Sequence, residues 1–397
     1  MRPLPKTRVP LADAGGLALA EPATAPHGVP PFTNSAMDGY AVRAADVATA
    51  PVRLRVLEDV PAGSVPARSV EAGTAITIMT GAPLPAGADA VVPVESTSLE
   101  GGEVLIREPV AAGESVRPAG GDVAAGDVVF AAGERLTARH LGVLASLGIT
   151  RPLVRRRPRV AVISTGDEVL PPETEYLPPG AIRDANRPIL LAMLTGLGAE
   201  VADLGIVGDD ERALRQALVG AAECNDIVVT SGGVSMGRYD LVKQVLGDMG
   251  GVDFWKVAMK PGKPFAFGSL GGTPLFGLPG NPVSVTVSFE QFVRPALLHR
   301  MGASQLFRPR IHGRAAVPLH VEKERTVFVR VRAEYDGGEW AVSPSGGQLS
   351  NQLAALARAD AFAVVPAGVE DVEEGTTVEL EMFRWPEART MEEVLGG

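Results

Sequence analysis

The spacing of apolar and polar residues changes along the chain and separates β-rich stretches from a mixed one. From residue 52 to about residue 130, short β-branched runs such as VRLRVL, TAITIM and VVFAAG are separated by Gly and Pro. Beyond residue 305 the same texture returns in RPRIHGRAAVPL, TVFVRVRAEY, EWAVSP, DAFAVVP and TVELEMF. Short runs bounded by turn residues are typical of strands. We therefore expect a small β-rich domain near the amino end and a small barrel-like domain at the carboxyl end.

Between these stretches, apolar runs of strand length alternate with longer amphipathic segments. Strands are predicted for RVAVIST, VADLGIV, DIVVTSGG and FWKVAMK. Helices are predicted for RPILLAMLTGLG, DDERALRQALVGAAE, a segment from about Tyr239 and the residues after LPGNP. This alternation indicates a doubly wound, mostly parallel sheet. Ahead of it, LTARHLGVLASLG predicts a helix with Thr137 as its N-cap, residues 11–20 predict a shorter helix, and RRRPR is interpreted as a solvated lead-in to the first strand.

The chain is too long for one hydrophobic core, since it has 397 residues. The predicted fold class is therefore multidomain, α/β plus β. We expect an elongated, discontinuous linking domain of helix and strand at residues 1–25 and 119–153, and a β-rich insertion domain at 26–118. The central α/β domain is predicted at residues 154–304 and a small carboxyl-terminal β-barrel at 305–397.

Composition and charge exclude several classes of protein. The formal net charge of -10 argues against a general nucleic-acid binder, which is usually basic. No apolar run reaches the ~18 residues that a membrane span needs, and the first residues lack the apolar stretch of a signal peptide. The single cysteine, Cys224, cannot form an internal disulfide, which favours a reducing, cytoplasmic location.

Metal-ligating residues point to a hard cation rather than zinc. The five histidines lie far apart and no Cys pair exists, whereas a zinc centre needs clustered nitrogen or sulfur ligands. Carboxylates and phosphate oxygens are the ligands that magnesium prefers. Any catalytic cation is therefore expected to be Mg²⁺.

Four unusual loops are predicted at one edge of the central sheet, where ligands bind in α/β folds. They read STGDE, SGGVS, KPGKP and LPGNP. Glycines let backbone N–H groups approach an anion, and a following helix adds positive potential. Each loop alone is better explained as an ordinary tight turn, but the four together favour a phosphate or a similar oxyanion. The candidate binding residues are Thr165, Gly166, Ser231, Gly232, Gly233, Ser235, Pro279, Gly280, Asn281 and Pro282.

Three of the six lysines fall within eight residues, although arginine outnumbers lysine about five to one in the chain as a whole. A compact ammonium suits an oxyanion as a point charge. Lys260 and Lys263 bracket a Pro-Gly turn and are the candidates for that role. Lys256 is interpreted as a solvent-facing residue of a strand.

Acidic residues follow the same strands and predict a magnesium site made of Glu168, Asp209 and Asp240. Helix capping is the competing interpretation for Asp209 or its neighbour Asp210, and one of the two is expected to do only that. Asp240 is also placed to cap the helix that follows it.

The motifs together resemble one family. PPFTNSAMDGYAV, IMTGAPLPAGADAVVPVE, STGDE, GGVSMGRYD, MKPGKPFAFG and GLPGNPVS are similar, in this order, to the molybdopterin molybdenumtransferases, a family that includes the carboxyl-terminal domain of gephyrin. The resemblance extends from about residue 8 to residue 384. STGDE, SGGVS and PGNP also mark the single-domain molybdopterin adenylyltransferases, so these three motifs alone are less specific.

The resemblance implies a reaction and a set of residues. The substrates are adenylylated molybdopterin and molybdate, AMP is released, and the reaction depends on magnesium. Asp240 and Glu168 are the implied acids, while Lys260 and Lys263 hold molybdate. The central domain is then the molybdopterin-binding domain.

Other implied contacts come from the outer domains. Asp38 and Thr80 of the insertion domain are expected to face the central domain of a second subunit, so the active site lies at the interface of a homodimer. Arg325 and Ser350 are expected to add oxyanion contacts. The motif around Ser350 reads Ser-Asn-Gln-Leu where many relatives carry Ser-Ser-Arg-Leu. Contacts with other proteins of molybdenum cofactor biosynthesis are a further expectation.

Two alternatives remain open at this point. An adenylyltransferase shares the phosphate loops but needs neither NSAMDGY, MTGAP nor a carboxyl-terminal barrel. A scaffold protein can use the same fold without catalysis, because a fold does not determine function. The presence of Asp240, Lys260 and Lys263 favours an enzyme, since a scaffold has no use for them.

Overall fold

A six-stranded sheet forms the centre of the molecule, of which this computed structural model describes residues 1–233 and 241–386. Four of its strands run parallel and the last two are antiparallel to their neighbours. In spatial order the strands are Glu200–Val207, Arg159–Thr165, Ile227–Ser231, Thr273–Leu278, Pro264–Leu270 and Val252–Lys256. The predicted doubly wound, mostly parallel sheet is therefore present.

Alternation along each buried strand supplies a core on both faces of this sheet. Val160 and Val162 pack with the helices Asn186–Gly196 and Pro282–Ser288. Ala161 and Ile163, which point to the opposite face, pack with the helices Glu211–Cys224 and Leu241–Met249. The predicted long helix after LPGNP continues from Pro282–Ser288 through a π-helical turn, Phe289–Val293, into Arg294–Arg300.

The β-rich insertion forms a separate six-stranded sheet. Its spatial order is Ala90–Pro93, Gly39–Val42, Thr74–Ile78, Val52–Val60, Glu103–Ile106 and Thr97–Glu100. Short helical segments Ala44–Val47 and Val94–Ser96 border it. Each face of the sheet has its own apolar cluster, one around Tyr40 and Val104 and the other around Ile76 and Val91. The insertion therefore has a core of its own.

The carboxyl-terminal strands close into a five-stranded barrel, as predicted. The strands are Thr326–Asp336, Glu339–Pro344, Arg310–Ala315, Thr377–Met382 and Ala361–Val365, and the last pairs with the first. The helix Leu353–Arg358 and the short pair Leu319–His320 with Asp371–Val372 border the barrel. A two-residue strand from the central region, Met259–Lys260, also pairs with the first barrel strand and so joins barrel and central sheet.

Short antiparallel pairs connect the amino-terminal segment to the rest. They are Lys6–Arg8 with Leu153–Arg155, Ala23–Thr24 with Val128–Phe130, and Asn34–Ser35 with Val116–Arg117. Near the central sheet, Val169–Leu170 pairs in parallel with Ile182–Arg183. In the described ranges, no helix is long and apolar enough to cross a membrane.

One helix prediction is confirmed and another is wrong. The helix Ala138–Ser146 begins after Thr137, whose side chain takes part in a capping box with His140. The helix predicted over residues 11–20 is only a 3-10 turn, Leu11–Asp13. Gly16 has a φ of 79°, which a continuing right-handed helix does not allow, and the residues after it form bridges to strands instead.

The basic run before the first central strand is bound to the protein rather than solvated, which corrects its interpretation. Arg156 donates two hydrogen bonds of 2.7 Å to the carboxylate of Asp226. Arg157 donates to the carbonyl oxygen of Gly198 at 3.1 Å. The run therefore fixes the linking segment against the central sheet.

Asp226 is the acid on which this junction depends. Its carboxylate also accepts the backbone N–H of Arg159 at 2.8 Å and lies 3.6 Å from Arg300. Burial acts to raise the pKa of Asp226, but the hydrogen bonds from Arg156 and Arg159 outweigh it and lower the pKa below its ordinary value. The carboxyl is therefore ionised in the folded protein at neutral pH.

Replacing this carboxylate tests its contribution to stability. We expect Asp226→Asn to lower the free energy of unfolding by about 2 kcal/mol at pH 7, because hydrogen bonds to a charged acceptor are lost. Since the folded pKa lies below the unfolded value of about 3.9, this contribution is fully present above that value. It is lost as the pH falls through the folded pKa.

Urea denaturation of wild type and variant from pH 7 down to about pH 3 measures the difference. Glu200→Gln is the matched control, because Glu200 pairs with Arg159 at 3.5 Å with both side chains more than half exposed. Exposed pairs contribute about 0–1 kcal/mol. An Asp226→Asn effect no larger than the control, or one that stays unchanged as the pH falls from about 3.9 to about 3, contradicts the account.

Candidate functional site

The carboxyl ends of the central strands enclose a cavity of about 580 Å³, which we call the strand-end cavity. Three of the four predicted loops line it, following the strands Arg159–Thr165, Ile227–Ser231 and Thr273–Leu278. The predicted residues on its wall are Thr165, Gly166, Glu168, Asp209, Ser231, Gly232, Gly233, Gly280, Asn281 and Pro282. The structure thus brings together residues that are more than 100 positions apart in the sequence.

Glycine is required at two of these positions by space as well as by backbone angle. Gly232 and Gly233 have φ values of 95° and 68°. A Cβ at Gly232 would lie 2.8 Å from the carbonyl oxygen of Thr165, and one at Gly233 would overlap the side chain of Val242. At these two positions the wall of the cavity is therefore bare backbone, the kind of surface that an anion can approach.

Polar side chains that the sequence patterns did not single out also line the cavity. Asn186 donates a 2.7 Å hydrogen bond from Nδ2 to the carbonyl oxygen of Gly280, but its Oδ1 and the Oγ of Ser164 are buried without a partner among the described residues. Asp184 accepts the backbone N–H groups of Asn186 and Arg187. Buried polar atoms usually find partners, so these open positions favour a polar ligand.

The predicted acids have different surroundings. Glu168 folds back so that its carboxylate occupies the space that a Cβ at Gly166 would need. Asp209 lies on the neighbouring loop, and its backbone N–H donates to Asp167 at 2.8 Å. Asp210 accepts the backbone N–H of Ala213 at 2.6 Å and caps the helix Glu211–Cys224. Asp210 is therefore the capping residue of the pair, and Asp209 is the one that lines the cavity.

Two predicted residues, Ser235 and Asp240, lie outside the described residues. In the ranges that the structure does describe, no group of three or more His, Cys, Asp or Glu side chains could hold a metal ion. Glu168 and Asp209 nevertheless line one cavity and supply hard oxygen donors. That donor set fits Mg²⁺, which is usually bound by one or two carboxylates together with substrate phosphates.

A second cavity, the lysine cavity, has a volume of about 310 Å³ and adjoins the first. Lys260, Lys263, Arg325 and Ser350 all line it, together with Pro279, Gly280 and Asn281. Gly280 and Asn281 are also on the wall of the strand-end cavity, so one turn separates the two spaces. All four residues that the family resemblance assigned to the oxyanion are thus together.

The cations of the lysine cavity differ in their partners. Lys260 donates a 2.6 Å hydrogen bond from Nζ to Glu322, whose other carboxylate oxygen lies 3.7 Å from Arg325. Lys263 is exposed, and its ammonium has no hydrogen bond or ion pair with a described residue. Lys256 is exposed at the end of the edge strand Val252–Lys256 and lines neither cavity, in agreement with its prediction.

The barrel contributes to both cavities in spite of the altered motif around Ser350. The Oγ of Ser350 accepts a 3.0 Å hydrogen bond from Asn281 Nδ2, and Asn351 lines the strand-end cavity. Gln352 accepts the backbone N–H of Leu349 at 2.8 Å. The altered motif therefore still connects the barrel to the central turn.

Arg330, for which the sequence patterns predicted no role, lies beneath this loop and supports it. Its side chain is 0% exposed, and Nη2 donates to the carbonyl oxygens of Gly347 and Leu349 at 2.7 and 3.2 Å. Burial lowers the pKa of the Arg330 guanidinium below its ordinary value. The only available signal was its place in RTVFVR, where a charge interrupts an apolar strand.

Asp38 and Thr80 contact each other in the insertion and line neither cavity. Thr80 donates both its hydroxyl and its backbone N–H to Asp38 Oδ1 at 2.7 Å. These hydrogen bonds, the hydroxyl's first, lower the pKa of the Asp38 carboxyl. The single chain therefore holds an ionised, exposed carboxylate apart from the central cavities.

Comparison with known families assigns all three regions of the chain. The MoeA N-terminal region (domain I and II) matches residues 1–148. The "Probable molybdopterin binding domain" matches residues 161–299, and the MoeA C-terminal region (domain IV) matches residues 312–383. The strand-end cavity belongs mainly to the second of these regions.

Individual relatives match over almost the whole length. The chain is 41% identical to molybdopterin molybdenumtransferase 2 of Mycobacterium tuberculosis, with 96% of each chain covered. It is 39% identical to the molybdopterin molybdenumtransferase of Haemophilus influenzae, with 94% of this chain and 93% of that one covered. Two crystal structures of a molybdopterin biosynthesis MoeA protein from Pyrococcus horikoshii are also similar. One has a TM-score of 0.81 at 30% identity, with 96% of each chain covered, and the other 0.77 at 35%, with 97% and 96% covered.

Proposed function

We propose the function from one premise, that the chain belongs to the molybdopterin molybdenumtransferase family. The chain inserts molybdenum into molybdopterin and is a transferase. Its substrates are adenylylated molybdopterin and molybdate. The observation that carries the proposal is the turn at Gly280 and Asn281, which borders both the strand-end cavity and the lysine cavity.

The proposed reaction joins two changes in adjacent spaces. Water breaks the phosphoanhydride bond of the adenylylated pterin, and AMP leaves carrying its own phosphate. Molybdate exchanges one oxygen ligand for the two dithiolene sulfurs, and the displaced oxide leaves as one water with the two thiol protons. Neighbouring cavities bring the reacting groups together, which converts an encounter in solution into a reaction within one complex.

The strand-end cavity supports binding of the phosphate and pterin part. Bare backbone at Gly232 and Gly233 leaves room for phosphate oxygens, and Thr165 and Ser231 add hydroxyl groups. Glu168 and Asp209 would hold Mg²⁺ against those phosphates, with Asp240 as the third acid implied by the family. Bound there, the cation would neutralise charge on the leaving phosphate.

The lysine cavity supports binding of molybdate. Lys260, Lys263 and Arg325 carry three positive charges in a chain whose net charge is -10. Ser350 supplies a hydroxyl, held by Asn281 at 3.0 Å. Point charges of this kind bind a dianion without demanding one fixed orientation.

The proposed active site needs a second subunit. The family motifs assign Asp38 to catalysis and Thr80 to cofactor binding, yet neither residue lines a cavity of its own chain. In a twofold homodimer, the insertion of one chain can face the central cavities of the other. The lone cysteine, Cys224, favours a cytoplasmic location for this assembly.

Alanine substitutions compare the contributions of the lysines to molybdate binding. We expect Lys263→Ala to raise the molybdate concentration for half-maximal AMP release about ten- to hundredfold, because a charge is removed from a dianion. Excess molybdate should partly restore the rate. Lys263→Arg should fall between wild type and alanine, since a planar guanidinium replaces a compact ammonium.

Lys256→Ala is the matched control, because Lys256 lies seven residues away and outside the cavity. Its molybdate requirement should change less than about twofold, as is usual for exposed residues without a role. If Lys256→Ala shifts the requirement more than Lys263→Ala, the oxyanion binds elsewhere.

Mixing two inactive variants tests the shared site. Asp38→Asn and Lys263→Ala should each be nearly inactive alone at limiting molybdate. A heterodimer of the two contains one site with both residues intact, so random subunit exchange should restore about a quarter of the wild-type activity. Activity is followed as AMP release after co-refolding or prolonged incubation.

The double variant, carrying both substitutions in one chain, is the control and should gain nothing on mixing with either single variant. Recovery would be absent if each chain formed a complete site by itself, and that result would refute the proposed interface.

A further inference from the structure

Glu322 is an acidic residue inside a cluster of cations that we assign to an oxyanion. It lies in the segment between the short barrel strand Leu319–His320 and the strand Thr326–Asp336. One carboxylate oxygen accepts the 2.6 Å hydrogen bond from Lys260, and the other lies 3.7 Å from Arg325. Two of the three cations around the lysine cavity are therefore already paired with an acid.

The position of this acid relative to the cavities is informative. Glu322 is not on the wall of the lysine cavity but lines a smaller neighbouring cavity of about 260 Å³. Lys260, Pro261 and Gln348 line both spaces. The flexible side chain of Lys260 can therefore serve either the carboxylate on one side or an anion on the other.

The pair is suited to exchange because it is neither buried nor rigid. The side chains of Lys260 and Glu322 are 41% and 43% exposed. The hydrogen bond from Lys260 lowers the pKa of the Glu322 carboxyl, so this group is charged at neutral pH. An ion pair with this exposure is weak, so a bound dianion can replace it.

We propose that Glu322 is the resident counter-ion of the lysine cavity. Its carboxylate pairs with Lys260 and Arg325 until an oxyanion binds and displaces the carboxylate. This inference rests on the proposed function. It adds a residue that competes for the cations and so lowers the affinity of the lysine cavity for an oxyanion. Without the carboxylate, Lys260 and Arg325 would be free for the incoming anion. With it, the four charges of Lys260, Lys263, Arg325 and Glu322 sum to +2, which balances a dianion such as molybdate.

Removing the charge of Glu322 should therefore tighten oxyanion binding. The contribution of an exposed ion pair reaches about fivefold in a dissociation constant, so Glu322→Gln should lower the dissociation constant of molybdate about three- to fivefold. Direct binding to the purified full-length protein, by equilibrium dialysis against molybdate at fixed ionic strength, measures this without turnover.

A neighbouring acid provides the matched control. Glu370 pairs with Lys323 at 3.7 Å, with both side chains more than half exposed, and lines none of the three cavities. Glu370→Gln removes the same charge from the same domain and should change molybdate affinity less than about twofold. Circular dichroism and melting temperature verify that both variants are folded.

A double-mutant cycle tests whether Glu322 acts through Lys260. If the carboxylate competes for this ammonium, the gain from Glu322→Gln should fall below about twofold in a Lys260→Ala background. A full gain in that background means that Glu322 acts only as a distant negative charge, which overturns the counter-ion assignment.

The outcomes separate this inference from the proposed function. Wild-type binding that is lost in Lys263→Ala but unchanged or weakened in Glu322→Gln overturns the role of Glu322 and leaves the oxyanion site standing. No molybdate binding by wild type, Glu322→Gln or Glu370→Gln overturns both. Tighter binding in Glu322→Gln alone supports both.

Discussion

The turn at Pro279, Gly280 and Asn281 is the constraint that the site depends on. It follows the strand Thr273–Leu278 and precedes the helix Pro282–Ser288, so a strand of the central sheet fixes it on one side and a helix on the other. Asn186 binds its carbonyl from one cavity, and Ser350 binds the Asn281 amide from the other. Both cavities take their shape from this one backbone segment, and a shift there would move the walls of both together.

The two cavities differ in the charged groups that line them. The strand-end cavity combines bare glycine backbone with the carboxylates Glu168 and Asp209, a combination suited to phosphate oxygens bridged by a divalent cation. The lysine cavity is cationic, and its charges come from both the central region and the barrel. Pairing of the strand Met259–Lys260 with the barrel explains how Lys260 is held beside Glu322 and Arg325, which are distant in sequence.

Local patterns were sufficient to predict the central sheet and most of the candidate residues that line the two cavities. The glycine loops were predicted at one sheet edge because the ends of parallel strands coincide there, and three of them line one cavity. The fourth, around Lys260 and Lys263, adjoins it because the antiparallel strand Pro264–Leu270 begins at that same edge.

Other features depend on tertiary contacts, and local sequence patterns could not predict them. The helix predicted over residues 11–20 does not form, because the chain turns at Gly16 and the residues after it form β-bridges with distant residues. Glu322 has no local signal, since its partner Lys260 is 62 residues away and only the barrel brings them together. The local sequence around Arg330 likewise does not show that its side chain is buried beneath the Ser350 loop. The domain boundaries, the magnesium site and the homodimer stay predictions.

Reconstitution with the unmodified protein tests the central claim, that this site joins molybdate insertion to loss of the adenylate. Purified protein is supplied with adenylylated molybdopterin and Mg²⁺, and AMP is measured with and without molybdate. We expect AMP release that depends on molybdate and is accompanied by molybdenum-loaded cofactor in equal amount. Formation of adenylylated molybdopterin from molybdopterin and ATP, without molybdate-dependent AMP release, would identify an adenylyltransferase instead. Binding without any turnover would identify a scaffold, and either result would contradict the account.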